Sequence, residues 1–243
     1  MTLEQELDTQ MKLEKKLSLA LVPIFNKISR DLAKKYAIDG TVPDAEDYQE
    51  AFEQELLKHY QEVQLAFRQF SPEIEDDDED EFLAALLLFA NDEASTNSKF
   101  ITETNQDRIK AALDKAIKVS IQDNLPLDRR SIGVFAGQNL KKETPERIEN
   151  IAITETTGPA ENTKFTAAKI AVVTMKKKWQ TKEDKKVRPT HAAVNKKTLG
   201  IAQFFKVGIY KMLYPGDRSL GAGIEEIARC RCKLLYIKQK TKR

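Results

Sequence analysis

FTAAKIAVVTMKKKWQT (Phe165–Thr181) holds the change of period that sets the fold. Its first half repeats apolar residues at helical spacing, at Phe165, Ala168, Ala171 and Val172. After Met175 the texture changes, and KKKWQT reads as a short strand. Downstream, AQFFKVG (Ala202–Gly208) and CKLLYIK (Cys232–Lys238) read as further strands, with turns at Pro189, Asn195 and Pro215-Gly216. Upstream the periodic stretches all read as helices, joined by turns and loops. The expected fold class is α+β: long N-terminal helices followed by a small basic mixed α/β module.

The helices differ in clarity. Leu3, Leu7 and Met11, then Leu17, Leu21, Ile24, Ile28 and Leu32, mark an amphipathic first helix, which Pro23 is expected to kink or divide. Tyr48, Phe52, Leu56, Tyr60, Val63, Phe67 and Phe70 form one apolar stripe on a helix from Asp44 to Phe70. That stripe is either core or a face offered to a partner. Ser71-Pro72 ends the helix, and the acidic run EIEDDDEDE (Glu73–Glu81) reads as a loop whose last acids favour the start of the next helix. Phe82–Ala90 is apolar on all sides and is expected to be buried, with Asn91–Asn97 a loop. A helix through Ile109, Leu113, Ala116, Ile117 and Ile121 breaks at Leu125-Pro126. Ile132, Phe135 and Leu140 form a short amphipathic stretch. Thr144-Pro145 is expected to open another helix and Gly158-Pro159 to interrupt it. The resulting division is residues 1–100 as an acidic helical arm, 101–175 as a helical middle region, and 176–243 as the basic module.

Charge follows the same division. Residues 1–100 carry 23 acidic and 10 basic side chains, and residues 101–243 carry 15 acidic and 30 basic ones. Such asymmetry points to two different neighbours, one of them nucleic acid, or to a basic end that packs on the acidic end. No run approaches the roughly 20 apolar residues of a membrane span. The polar, acidic N-terminus MTLEQELDTQ does not read as a secretory signal. Two cysteines cannot form a disulfide framework.

No nucleotide-binding, hydrolase or metalloprotease motif occurs, and no catalytic constellation is visible. His59, beside the aromatic stripe, reads as structural. His191, Cys230 and Cys232 are candidate ligands of a tetrahedral zinc site, with Asp184 or water as the fourth. Two reduced cysteines on one face of a strand are the alternative. Lys176, Lys177, Lys178, Lys182, Lys185, Lys186 and Arg188 surround Trp179 and are candidate contacts to DNA phosphates. Lys233, Lys238, Lys240, Lys242 and Arg243 add charge at the end of the chain. No base-reading motif accompanies them, so the contact expected is non-specific.

Four stretches in order carry a resemblance: RIENIAITETTGPAEN (Arg147–Asn162), KKWQTKEDKKVRPTH (Lys177–His191), YPGDR (Tyr214–Arg218) and CRC (Cys230–Cys232). They resemble the signature of the phage Mu protein F-like minor head proteins. The second is similar to that family's K-x-W-x-T-x-x-D-x-R-V-R-x-x-H. The chain departs from it in having Lys186 in place of an arginine. It also reads AAVNKK (Ala192–Lys197) where a glycine usually follows the histidine, with Asn195 expected to supply the turn. The matching motif residues are Thr154, Glu155, Trp179, Asp184, Arg188, His191, Pro215, Asp217, Cys230 and Cys232.

The resemblance implies a non-enzymatic minor capsid protein in the interior of the virion, present in the host cytoplasm during assembly. It would bind the portal protein in several copies around one portal, contact packaged double-stranded DNA, and act in head morphogenesis and DNA packaging or ejection. Scaffold or major capsid protein are further partners it suggests. Tyr48, Phe52, Leu56, Tyr60, Val63 and Phe67 are the candidate portal contacts, Asp184 is expected to pair with Arg188, and Trp179 to fill the module's core. Two other functions stay open: a non-specific DNA-binding protein without portal association, and a metal-dependent enzyme relying on His191.

Overall fold

The computed structural model describes residues 2–171 and 173–239. Val172 and the terminal Lys240, Lys242 and Arg243 lie outside them. The first helix, α1 (Leu3–Asp39), begins at a reciprocal cap. Thr2 N donates to Gln5 Oε1 at 2.8 Å and Gln5 N to Thr2 Oγ1 at 3.2 Å. α1 stops at Gly40, whose φ of 79° few other residues adopt. Three more long helices follow: α2 (Gln49–Arg68), α3 (Glu79–Gln122) and α4 (Arg129–Ile170).

Each of the longest helices overrides a local signal. α1 runs through Pro23 without dividing. Asn91–Asn97, expected as a loop, is helical inside α3, because its loop-prone side chains bond within the helix. Asn91 Nδ2 donates to Leu87 O at 2.8 Å, Asn97 Nδ2 to Glu93 Oε2 at 3.0 Å, and Ser98 Oγ to Ser95 O at 2.8 Å. Neither Thr144-Pro145 nor Gly158-Pro159 breaks α4. Thr144 is no N-cap: its hydroxyl donates back to Leu140 O at 2.9 Å, and Thr163 does the same to Pro159 O at 2.7 Å. The true N-cap of α4 is Asp128, which accepts from Ser131 N at 3.0 Å. Phe82–Ala90 is amphipathic rather than buried all round. Phe82, Leu86 and Ala90 face inward at i, i+4 and i+8, while Leu83, Leu87 and Leu88 are exposed.

The sheet elements are small, as expected. β1 (Met175–Gln180) is the middle strand of an antiparallel sheet, between β2 (Thr198–Gly200) and β5 (Lys233–Lys238), with Trp179 opposite Leu234. β3 (Phe205–Val207) and β4 (Tyr210–Met212) form a separate hairpin. Two one-turn helices, α5 (Pro189–Ala192) and α6 (Ile224–Ile227), sit in the connections.

The chain groups into two compact units that are not continuous in sequence. One gathers Met1–Glu14, His59–Asn91 and Asn150–Arg243; the other gathers Lys15–Lys58 and Asp92–Glu149. The boundary drawn at residue 100 therefore falls inside α3. In the second unit Phe25 packs edge-on against Phe52 at 5.3 Å, and Tyr48 donates to Asp31 at 2.7 Å. Here α1 and α4 touch at glycine: a Cβ on Gly137 would lie 2.7 Å from Ser29 O. In the first unit Val63 and Phe67 pack on Ala160, Tyr60 donates to Glu155 at 2.6 Å, and His59 bonds Thr156 at 2.9 Å. Tyr48, Phe52, Leu56, Tyr60, Val63 and Phe67 are all at most 3 % exposed. The aromatic stripe is core, which corrects its assignment as a portal-contact surface: none of these side chains has area to offer a partner. Among the described residues no helix is long and apolar enough to cross a membrane.

Candidate metal centre

Three side chains from two sequence-distant segments meet in the first unit. His191 is supplied by α5, and Cys230 and Cys232 by the irregular stretch just before β5 rather than by the strand itself. Their ligating atoms all lie within 4.8 Å of one another. His191 Nδ1 is 3.3 Å from Cys232 Sγ and 3.7 Å from Cys230 Sγ. All three are buried and both cysteines are free thiols.

Glu226 of α6 stands behind the imidazole. Its Oε2 is 3.1 Å from His191 Nε2 and accepts from Thr190 Oγ1 at 2.8 Å. A carboxylate only accepts, so Nε2 carries the proton and Nδ1 is the nitrogen aimed at the sulfurs. Trp179 walls the other side, edge-on to His191 at 5.7 Å and to Phe205 at 5.1 Å. It fills the module core as expected, with Val207, Met212, Tyr214 and Leu234 around it.

Cys230 is held well below the ordinary thiol range by a hydrogen bond from Cys232 and, against burial, by His191. Cys232 is pushed up by the bond it makes to Cys230 and by burial. Burial disfavours the His191 imidazolium, but the hydrogen bond and charge of Cys230 outweigh it and raise the pKa. Two cysteine sulfurs beside an imidazole nitrogen are a donor set zinc prefers.

α4 builds the cysteine-bearing segment. Thr154 Oγ1 accepts from Arg229 N at 2.9 Å, Thr157 Oγ1 donates to Cys230 O at 2.8 Å, and Glu161 accepts from Leu234 N at 2.8 Å. Positions 154, 157 and 161 share one helix face, so a single face of α4 holds residues 229–234. Glu155, on another face, pairs with Arg218 at 3.0 Å. The YPGD turn also lies against α4: Gly216, at φ 84°, sits so close that a Cβ would be 2.9 Å from Gly158 Cα. Pro215 is buried, and Asp217 closes the turn by accepting from Leu213 N at 2.6 Å and Ser219 N at 2.9 Å.

Other expectations need correcting. Asp184 does not pair with Arg188. Its two oxygens meet the Arg231 guanidinium at 2.9 and 3.1 Å, while Arg188 donates to Ala228 O. Thus engaged, Asp184 is no fourth metal ligand. The turn after His191 has its positive φ at Lys196 (64°), not Asn195, whose side chain ties Thr181 N at 3.0 Å to Glu183 at 3.0 Å. Among the DNA-contact candidates, Lys176, Lys182, Lys185 and Lys186 are exposed and Lys178 and Arg188 half-buried. Lys177 is not available: strand alternation turns it inward with Met175 and Trp179. Its Nζ donates to Leu213 O at 2.9 Å and lies 4.7 Å from the Phe165 ring centroid. Burial draws its pKa down to about 8, against the pull of Asp217.

Sequence reasoning missed Glu226, Thr157, Glu161 and Arg229. For Glu226 a signal existed, since it is one of only five acids from Lys164 onward. Compared with protein-family models, curated proteins and solved structures, the chain matches none.

Proposed function

We propose that this chain is a phage minor head protein of the Mu protein F-like kind, a structural component of the capsid interior that binds the portal and touches packaged DNA without reading its sequence. One observation supports the reading above the others. From Asn150 onward the four signature stretches lie in one unit, where the first holds the fourth and the residue before it (Thr157 to Cys230, Thr154 to Arg229) and packs on the third (Gly158 on Gly216). The signature thus describes one folded module in which the motif residues have structural tasks. DNA contact falls to the exposed Lys176, Lys182, Lys185 and Lys186. His191, Cys230 and Cys232 would hold zinc, linking α5 to the segment that α4 anchors. Glu226 orients the imidazole, as a carboxylate behind a ligating histidine does.

The test is co-expression of the full-length chain with the portal protein of the same phage, followed by size-exclusion chromatography and imaging. Co-elution as a ring-associated complex is the expected result. Duplex binding with a steep salt dependence but no portal association would favour the alternative of a plain DNA-binding protein. Zinc analysis of protein purified without chelator is expected to give about one equivalent; a negligible content with both thiols freely titratable would remove the metal.

A further inference from the structure

The three-residue centre lacks a fourth protein ligand among the described residues, and the space where one would stand is not closed. Glu226 is spent on the far nitrogen of His191, the one that does not face the sulfurs. Asp184 is locked by Arg231 and by the Lys186 amide, which donates to it at 2.9 Å. A small cavity of about 20 Å³ reaches His191, Cys230 and Cys232 directly. That is enough for one water-sized ligand atom. A structural zinc is normally enclosed by four protein ligands, whereas a site with three keeps a position for an exogenous one.

The walls of this cavity state what kind of ligand it takes. Besides the three donors and Val187, they consist of Lys182, Lys186, Arg188, Arg229 and Arg231, with no carboxylate among them. A divalent metal bound to two thiolates and a neutral imidazole is itself uncharged, so the surplus of positive charge at the mouth is not consumed by the centre. Arg229 is the clearest sign of construction. It stands at φ 55°, a conformation costly for a side chain with a Cβ, and is held there by the bond from its amide to Thr154. That turn puts an exposed guanidinium at the cavity whose floor is formed by the next residue, Cys230. Lys182 and Lys186 are likewise exposed.

We propose that the His191–Cys230–Cys232 centre is an open metal site whose fourth position takes a phosphate oxygen, admitted and held by Lys182, Lys186 and Arg229. The inference rests on the metal reading above. Two sources share this chemistry, free inorganic phosphate and the phosphodiester backbone of nucleic acid.

The full-length protein loaded with cobalt(II) separates them. Its visible bands report both thiolate ligation and the fourth ligand. Addition of inorganic phosphate in chloride buffer is expected to shift the ligand-field bands saturably, and Arg229→Ala and Lys182→Ala to raise the half-saturating concentration at least about tenfold while leaving the thiolate-to-metal absorption unchanged. The same shift on adding a short duplex identifies the backbone as the source; a shift with phosphate alone identifies the free anion. Cobalt bound through thiolates with bands that neither phosphate nor duplex moves overturns the open-site proposal and leaves the metal reading standing. Absence of any thiolate-to-metal absorption overturns both.

Discussion

At the scale of single residues, neighbours in sequence have opposite tasks. Lys177 and Lys176 differ only in which side of β1 they leave, yet one is core and the other surface. Lys177→Met is therefore expected to leave duplex affinity and its salt dependence unchanged, because the ammonium never meets solvent-borne phosphate. Replacing Lys182, Lys185 and Lys186 together by alanine should flatten the slope of log K against log salt by up to about 2–3, at about 0.9 for each phosphate no longer neutralised. Equal slopes for the triple variant and the wild type would move the DNA-binding face elsewhere. Glu226→Gln tests the residue behind the proposed metal site: zinc affinity by chelator competition should fall about 10–100-fold with both thiolates still ligating. An unchanged affinity would reduce Glu226 to a partner of Thr190. The His/Cys/Cys set was readable from residue type alone, since the chain has only two cysteines and two histidines to combine. Arg229 was not, because its role depends on its left-handed backbone, and Glu226 stood out only as one of few acids in a basic region, with nothing in the sequence to set it behind His191.

At the scale of elements, α4 carries the module. Gly216 illustrates how closely the YPGD turn rides on it: both its φ of 84° and the 2.9 Å approach to Gly158 exclude a side chain. Gly216→Ala is expected to cost about 2–4 kcal/mol, combining left-handed backbone strain with overpacking against a helix that cannot yield. Urea unfolding of the two proteins measures it, and a loss under about 1 kcal/mol would mean that the turn can lift away. The strands were legible because they are short segments set off by turn residues, β5 being a continuous apolar run, while the alternation of β1 shows in its burial. The continuity of α3 and α4 was not. Asn91, Thr144-Pro145 and Gly158-Pro159 are local breakers, and their effect is cancelled by back-bonded side chains and by packing that only the folded chain supplies. The same loss of information explains the aromatic stripe: its periodicity gives a face, and only the fold shows that the face is covered.

At the scale of the whole molecule, the charge asymmetry is partly internal. Glu6, from the acidic N-terminal stretch, meets Lys164 at 2.7 Å and Lys233 at 3.3 Å, and Glu161 meets Lys164 at 2.6 Å, all inside the first unit. Two carboxylates thus face one buried ammonium. Burial, and Glu6 beside it, push Glu161 up to about 7 although Lys164 pulls it down. A carboxyl raised in the fold above its ordinary value of 4.5 binds its proton more tightly folded than unfolded. Its contribution to stability is therefore present below pH 4.5 and is lost as the pH climbs from there to about 7. Carboxylates held low by surface partners, such as Glu183 at about 2 with Lys196 and Asn195 bonded to it, act in the opposite sense and below that window. Glu161→Gln keeps the acceptor for Leu234 N and removes the titration. Urea midpoints should fall between about pH 4.5 and 7 for the wild type and fall distinctly less for the glutamine variant, the difference amounting to at most about 3 kcal/mol. Parallel pH profiles for the two proteins would mean that Glu161 is ionised throughout and that Lys164, not the proton, balances its charge.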